Sequence, residues 1–263
     1  RVIVTHMHPD HIGLAHWLTE RWGVRLWISG TDYNAARLAS QSTTGFGGES
    51  AAAFMASHGL TDPDAVDKVR KRSNYYASMV PQVPARFRRL MGGDTLRIGD
   101  HDWACHAGYG HAPEHISLHC AALGVLISGD MVLPRISTNV SVIDLEPEAN
   151  PLPLYLASIG RMLALPAETL VLPSHGKPFR GLHTRVGQLV AHHDDRFADL
   201  MAACAQAPQT AASLLPVLFR RPLDLHQTTF AMGEAIAHLH ALWLRGELKR
   251  ELGEDGVLRF SPA

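Results

Sequence analysis

Cysteine is scarce in this 263-residue chain: Cys105, Cys120 and Cys204 form an odd set of three, with no C-x-x-C pair. That excludes a disulfide framework and a thiolate zinc site, and it fits a reducing compartment. Long apolar runs are also missing. The longest, residues 120–127, falls far short of the roughly 20 residues that a membrane-spanning helix needs, and no basic-then-apolar leader opens the chain. These features read as a cytoplasmic protein without membrane contact. A surplus of either charge is absent too, since 24 basic residues face 25 acidic ones for a net charge of −1. Bulk charge therefore gives no polyanion-binding surface. An apolar fraction of 46% against 19% charged residues argues against disorder, and the length suits one large domain with a smaller one. The chain begins with Arg1 rather than Met, five residues before its densest motif, so a preceding natural segment is expected.

What is abundant is histidine, 17 residues of 263. Imidazole is the commonest metal ligand and titrates near neutrality. The densest cluster is His6-Met7-His8-Pro9-Asp10-His11, placed directly after the β-branched, apolar residues 1–5, which read as a buried strand. Two histidines at i and i+2 on a tight loop can converge on one ion, and the following Asp-His pair can turn toward a second. A helix should follow, carried by Ile12, Leu14, Ala15, Leu18 and Trp22 and capped by Gly23, and then a strand over 24–29.

Residues 31–90 read as a helical insert, broken by glycines at 44–48 and by Pro63, Pro81 and Pro84. From 95 onward the period shifts toward two, giving short strands at 95–98, 103–107, 116–121 and 125–128. A helix over 151–165 and a strand over 169–172 complete this part, with a boundary near 181. The remainder offers helices at 182–204, 210–219 and 227–248, then two short strands around the turn 253–256. Three helices and a hairpin make a winged-helix pattern.

The T-H-x-H-x-D-H motif at residues 5–11 resembles the signature of the metallo-β-lactamase superfamily, and further segments agree with it in order. Gly110-His111-Ala112-Pro113-Glu114-His115 is similar to that family's G-H-T-x-G-H segment, Ser128-Gly129-Asp130 to its bridging aspartate, and Leu172-Pro173-Ser174-His175-Gly176 to its last histidine. The resemblance covers residues 1–180 and implies an αββα four-layer sandwich, an α/β fold. It also implies that His6, His8 and His111 hold one metal, that Asp10, His11 and His175 hold the other, and that Asp130 bridges both. A metal-bridging hydroxide then serves as nucleophile, with Asp10 orienting it, and the reaction is hydrolysis.

Five imidazoles and two carboxylates suit Zn²⁺, and also Fe²⁺ or Mn²⁺; zinc is the expected ion. His115 stands either behind the ligands, supporting one of them, or on the surface. The sequence departs from the family in two places. Strands that usually precede the first motif are missing, and Glu114 stands where the family has glycine. The layout is closest to the lactamase-beta-like protein 2 group, which also ends in a winged helix. Residues 1–180 are thus expected to be catalytic and 181–263 to form the winged-helix-like domain.

The insert is expected to shape the substrate pocket. Tyr75, Tyr76, Met79, Phe87 and Met91 either line that pocket or pack the insert's own core. Lys68, Arg70, Lys71, Arg72, Arg86, Arg88 and Arg89 either receive an anionic substrate or lie on solvated faces. The tail carries eight basic and nine acidic residues, which argues against a nucleic-acid partner. It reads instead as a packing or homodimerisation element. The expected function is hydrolysis of a small-molecule ester, thioester or lactone. Alternatives are a metal-dependent endoribonuclease or phosphodiesterase, and a non-catalytic scaffold with a degenerate site.

Overall fold

The computed structural model describes residues 1–41 and 47–263; most of the glycine-rich break expected at 44–48 lies outside them. Among the described residues, 1–41, 76–138 and 154–189 form one compact unit, and 47–75, 139–153 and 190–263 form a second. The units are discontinuous in sequence.

In the first unit, strand β1 (Val2–Ile3) leads through the histidine-rich loop into the one-turn helix α1 (Pro9–Ile12) and then α2 (Ala15–Trp22). Gly23 ends α2 at φ 57°, the left-handed C-cap its position suggested. The inward face of these helices is Ile12, Ala15 and Thr19, whereas Leu14 and Trp22, expected on that face, are exposed. Strand β2 (Leu26–Ser29) follows, and Ser29 caps helix α3 (Gly30–Ala39) by accepting the Asp32 N–H.

The second unit takes helices α4 (Gly48–Ser57) and α5 (Pro63–Arg70), the latter capped by Asp62 with proline at its first turn. Helix α6 (Tyr75–Met79) returns the chain to the first unit at residue 76. Here the structure corrects the reading of 31–90 as mainly helical, because Phe87–Leu90 is strand β3, parallel to β2. Phe87 stacks on Tyr33 at 3.8 Å and Leu90 is buried, while the two arginines between them face outward. Strand pairing and two apolar anchors outweigh any helical preference of that basic stretch. The sheet order is β1-β2-β3.

The second sheet contains β4 (Thr95–Ile98), β5 (His101–Gly108), β6 (His115–Cys120), β7 (Val125–Gly129) and β8 (Leu170–Pro173), in that order. Strands β4 to β7 run antiparallel and β8 lies parallel to β7, so a crossover is required; helix α7 (Pro151–Arg161) lies in it. Every residue of β6 is buried, as a central strand covered on both faces must be. Leu90 packs with Leu96, Cys105, Ile116 and Leu118, and Ile3 and Trp27 border the same cluster. The apolar core therefore lies between the two sheets, the sandwich arrangement the sequence implied.

Helix α8 (Leu182–Gln206) begins in the first unit and continues in the second. The latter also holds the short helix α9 (Leu215–Leu218), helix α10 (Leu225–Leu244) and the antiparallel pair β9 (Leu248–Leu252) and β10 (Leu258–Pro262). Asp224 and Gln227 form a reciprocal capping box at the start of α10. The helix expected at 210–219 is shorter: Thr210 and Ser213 bond each other's main chain, and α-helix starts only at Leu215, next to Pro216. Among the described residues, no helix is long and apolar enough to cross a membrane.

Candidate metal centre

Strand ends build the site. β1 delivers His6, His8, Asp10 and His11; β5 runs on to His111; β7 ends one residue before Asp130; and β8 ends two residues before His175. His8 is the N-cap of α1 and Pro9 its first residue, so the single turn carries Asp10 and His11. A register shift between Ile127 and Gly129 breaks the β7–β8 ladder just before Asp130.

Two groups of donors result. His6, His8 and His111 form a closed group, with His8 Nδ1 3.0 Å and His111 Nε2 3.2 Å from His6 Nε2. Asp10, His11 and His175 form an open one, with Asp10 Oδ2 3.4 Å from His11 Nε2 and 3.2 Å from His175 Nε2. Asp130 Oδ2 stands among both. It lies 3.4 Å from His111 Nε2, 3.5 Å from His11 Nε2, 3.5 Å from His175 Nε2 and 4.0 Å from His6 Nε2. All seven side chains singled out as ligands are brought together, with Asp10 and His175 exposed and His6 buried.

The donor chemistry fits a divalent cation. Burial first, and then the neighbouring imidazoles, hold His6 and His8 well below the ordinary histidine value. Their lone pairs are free of protons at neutral pH, as metal ligation requires. Burial would raise Asp130, but His11 and His111 outweigh it and hold the carboxyl well below the usual range. Burial also opposes a charge on His11, yet Asp130 and Asp10 shift it upward. Among the described residues, buried Asp130 Oδ1 has no hydrogen-bond partner. Such an orphaned acceptor is costly unless a ligand or water meets it.

Two further residues shape the site. His115 is fully buried, which removes the surface reading, and its Nε2 accepts the Asp130 N–H at 3.2 Å. Its proton therefore sits on Nδ1, with burial as the first cause of a value pushed down to about 3. Gly129 permits this contact: its φ is +55°, and a Cβ there would lie 2.2 Å from His115 Nε2. The other residue, Asp32, escaped the sequence reading. Its carboxylate accepts the N–H of Met7 at 2.7 Å and of Glu114 at 2.6 Å. Burial raises it to about 6 against those hydrogen bonds. The one signal was Ser29-x-x-Asp32, which marks a helix start but says nothing of the distant loops.

Of the insert residues, Tyr76 is buried and donates its hydroxyl to the Met7 carbonyl at 2.5 Å. Tyr75 lies 3.2 Å through its hydroxyl from His226 Nδ1, while Met79 and Met91 are exposed. Arg70 and Lys71 pair with acids of α4 and α5, and Arg88 covers the Trp27 ring.

Residues 1–175 match the family described as the metallo-beta-lactamase superfamily, and residues 197–263 match the metallo-beta-lactamase-like, C-terminal domain. The chain belongs to the metallo-β-lactamase superfamily. As a member it is a metallo-hydrolase-type enzyme, and the superfamily's cofactors are divalent metal ions. It is 57% identical to a beta-lactamase domain protein from Burkholderia ambifaria, whose crystal structure superposes with a TM-score of 0.93, covering 100% of this chain and 75% of that one. A metallo-beta-lactamase family protein from Thermus thermophilus is 26% identical with a TM-score of 0.76, covering 99% and 79%. The probable metallo-hydrolase YqjP of Bacillus subtilis is 25% identical over 252 residues, 92% of this chain and 74% of YqjP. In this superfamily member the tail is thus a helical C-terminal domain of a recognised kind.

Proposed function

We propose that the chain is a binuclear hydrolase of small esters, thioesters or lactones. His6, His8 and His111 would hold one cation, Asp10, His11 and His175 the other, and Asp130 both. The carrying observation is the position of Asp130 Oδ2, within 4.0 Å of four imidazoles from both groups. Bound divalent ions, zinc by preference, would supply Lewis acidity and a water ionised near neutral pH.

The chain's own groups divide the remaining work. The buried histidines stay neutral and need lose no proton to bind. Asp10, exposed at the rim, accepts and orients a proton at Oδ2 beside His11 and His175. The open side formed by these three is the approach for substrate. No protein nucleophile is required, and the cysteines are poorly suited to be one: burial pushes the Cys105 and Cys204 thiols up to about 11, and all three are free and buried. All seven candidate ligands precede residue 181, which supports a catalytic part at 1–180. The tail's helices and terminal hairpin support a winged-helix reading, for which a packing or dimerisation role is proposed, and the buried free thiols fit a cytoplasmic location.

The test is a screen of metal-loaded protein against thioesters, lactones, simple esters and RNA. Chelator-sensitive hydrolysis of an acyl substrate, lost in Asp10→Asn, is expected. Metal-dependent RNA cleavage with no acyl hydrolysis would overturn the proposal in favour of a phosphodiesterase.

A further inference from the structure

Asp32 is completely buried, and the hydrogen bonds of its carboxylate come from Met7, Ser29 and Glu114, none of them a candidate ligand. Each of its two oxygens instead holds a different ligand loop. Oδ1 accepts from Met7, which sits between His6 and His8, and Oδ2 accepts from Glu114, three residues beyond His111. Ser29 Oγ also donates to Oδ2 at 3.2 Å, fixing the carboxylate at the start of α3. The neighbouring Thr31 hydroxyl donates to Glu114 Oε2 at 3.0 Å. Glu114, the residue that replaces the family's glycine, is thereby held by its main chain and its side chain at once.

Two loops 105 residues apart in sequence, at His6 and His111, must present nitrogens 3.2 Å from one another. A single rigid anchor for both removes the freedom that would otherwise separate them. We propose that Thr31 and Asp32 are positioning residues that set the geometry of the His6–His8–His111 group by tying both ligand loops to one helix start. A carboxylate is needed for this because two N–H donors approach two different oxygens. An amide offers one acceptor oxygen and would turn its NH₂ toward the other N–H. The proposal rests on the metal-site reading above.

The experiment is titration of apo protein with Co²⁺ and Zn²⁺, following the Co²⁺ visible spectrum and metal bound per chain, for wild type, Asp32→Asn and Thr31→Val. Asp32→Asn should weaken the tighter-coupled equivalent about 10- to 100-fold, the usual effect of losing a partner that orients ligands, and should alter the Co²⁺ spectrum. Thr31→Val, which removes only the exposed hydrogen bond to Glu114, should weaken it less than about tenfold in the same direction. If Asp32→Asn does not fold, the Thr31→Val titration decides. Wild-type affinity and spectrum in the folded variants, with only a lowered melting temperature, would show a purely structural role and overturn the proposal. A wild type that takes up no metal would overturn the metal-site reading as well.

Discussion

Both compact units concentrate histidine, yet they use it in opposite ways. In the first, His6, His8, His11, His111 and His175 point nitrogens at one another and at the carboxylates of Asp10 and Asp130. In the second, His58 donates Nδ1–H to the Phe54 carbonyl, His238 to Glu234 and His240 to Ala149. Because His238 Nδ1 carries the proton, its Nε2 accepts from His193 Nδ1 at 3.0 Å. The candidate ligands run from fully buried His6 to exposed His175, and His6 is as buried as His238, so burial alone does not distinguish a ligand from a structural imidazole. What distinguishes them is the partner: convergent donors with carboxylates in the cluster of the first unit, main-chain carbonyls and one paired imidazole for His58, His193, His238 and His240.

The sharpest way to break the contrast is to remove one histidine from each unit. His6→Ala should lower kcat/KM by at least about a hundredfold, since an inner donor matters more than the 10–100-fold typical of an outer one. His238→Leu should leave activity and metal content unchanged. It should still cost about 1–3 kcal/mol in urea unfolding, because the buried His193 N–H loses its acceptor. If His238→Leu lost metal, the two histidine populations would not be separate.

Acid provides a milder probe. Burial, first among the causes, lowers His193 to about 3 and His238 and His240 to about 4, and it lowers His58 as well. His192 and Arg196 add to the effect at His238, as Arg250 does at His240, with Glu148 opposing it there. Unfolded histidines titrate near 6.5, so below that pH the unfolded chain binds protons that the native state refuses. Stability should therefore be intact at pH 7 and fall as pH drops from about 6.5 toward 4, by up to about 1.4 kcal/mol per pH unit for each such histidine. Urea titrations across that range should show a shallower slope in His238→Leu, and an unchanged slope would contradict the assignment.

Much of this was legible in the chain, and the reason is locality. Four ligands sit within six residues, and His111, Asp130 and His175 each follow a strand inside a short, distinctive segment. Asp32 was invisible because its partners lie 25 and 82 residues away, while its own neighbourhood reads as an ordinary helix cap. Strand β3 was hidden because two arginines occupy the middle of four residues, and only Tyr33 and the parallel β2 reveal its direction. Adjacent histidines on one helix, such as His192 and His193 of α8, face apart, so spacing within a helix gives no sign of a pair. The pairing of His193 with His238 crosses two helices, and no spacing rule within a single helix could have shown it.

Metal content measured after chelator-free purification tests the central claim most directly, with wild type, His6→Ala/Asp130→Asn and His193→Phe/His238→Leu compared side by side. The expected result is two divalent ions per chain in wild type and in the second variant, and fewer than one in the first. Equal metal content in all three, or none in wild type, would contradict the assignment of the seven-residue cluster as the metal centre.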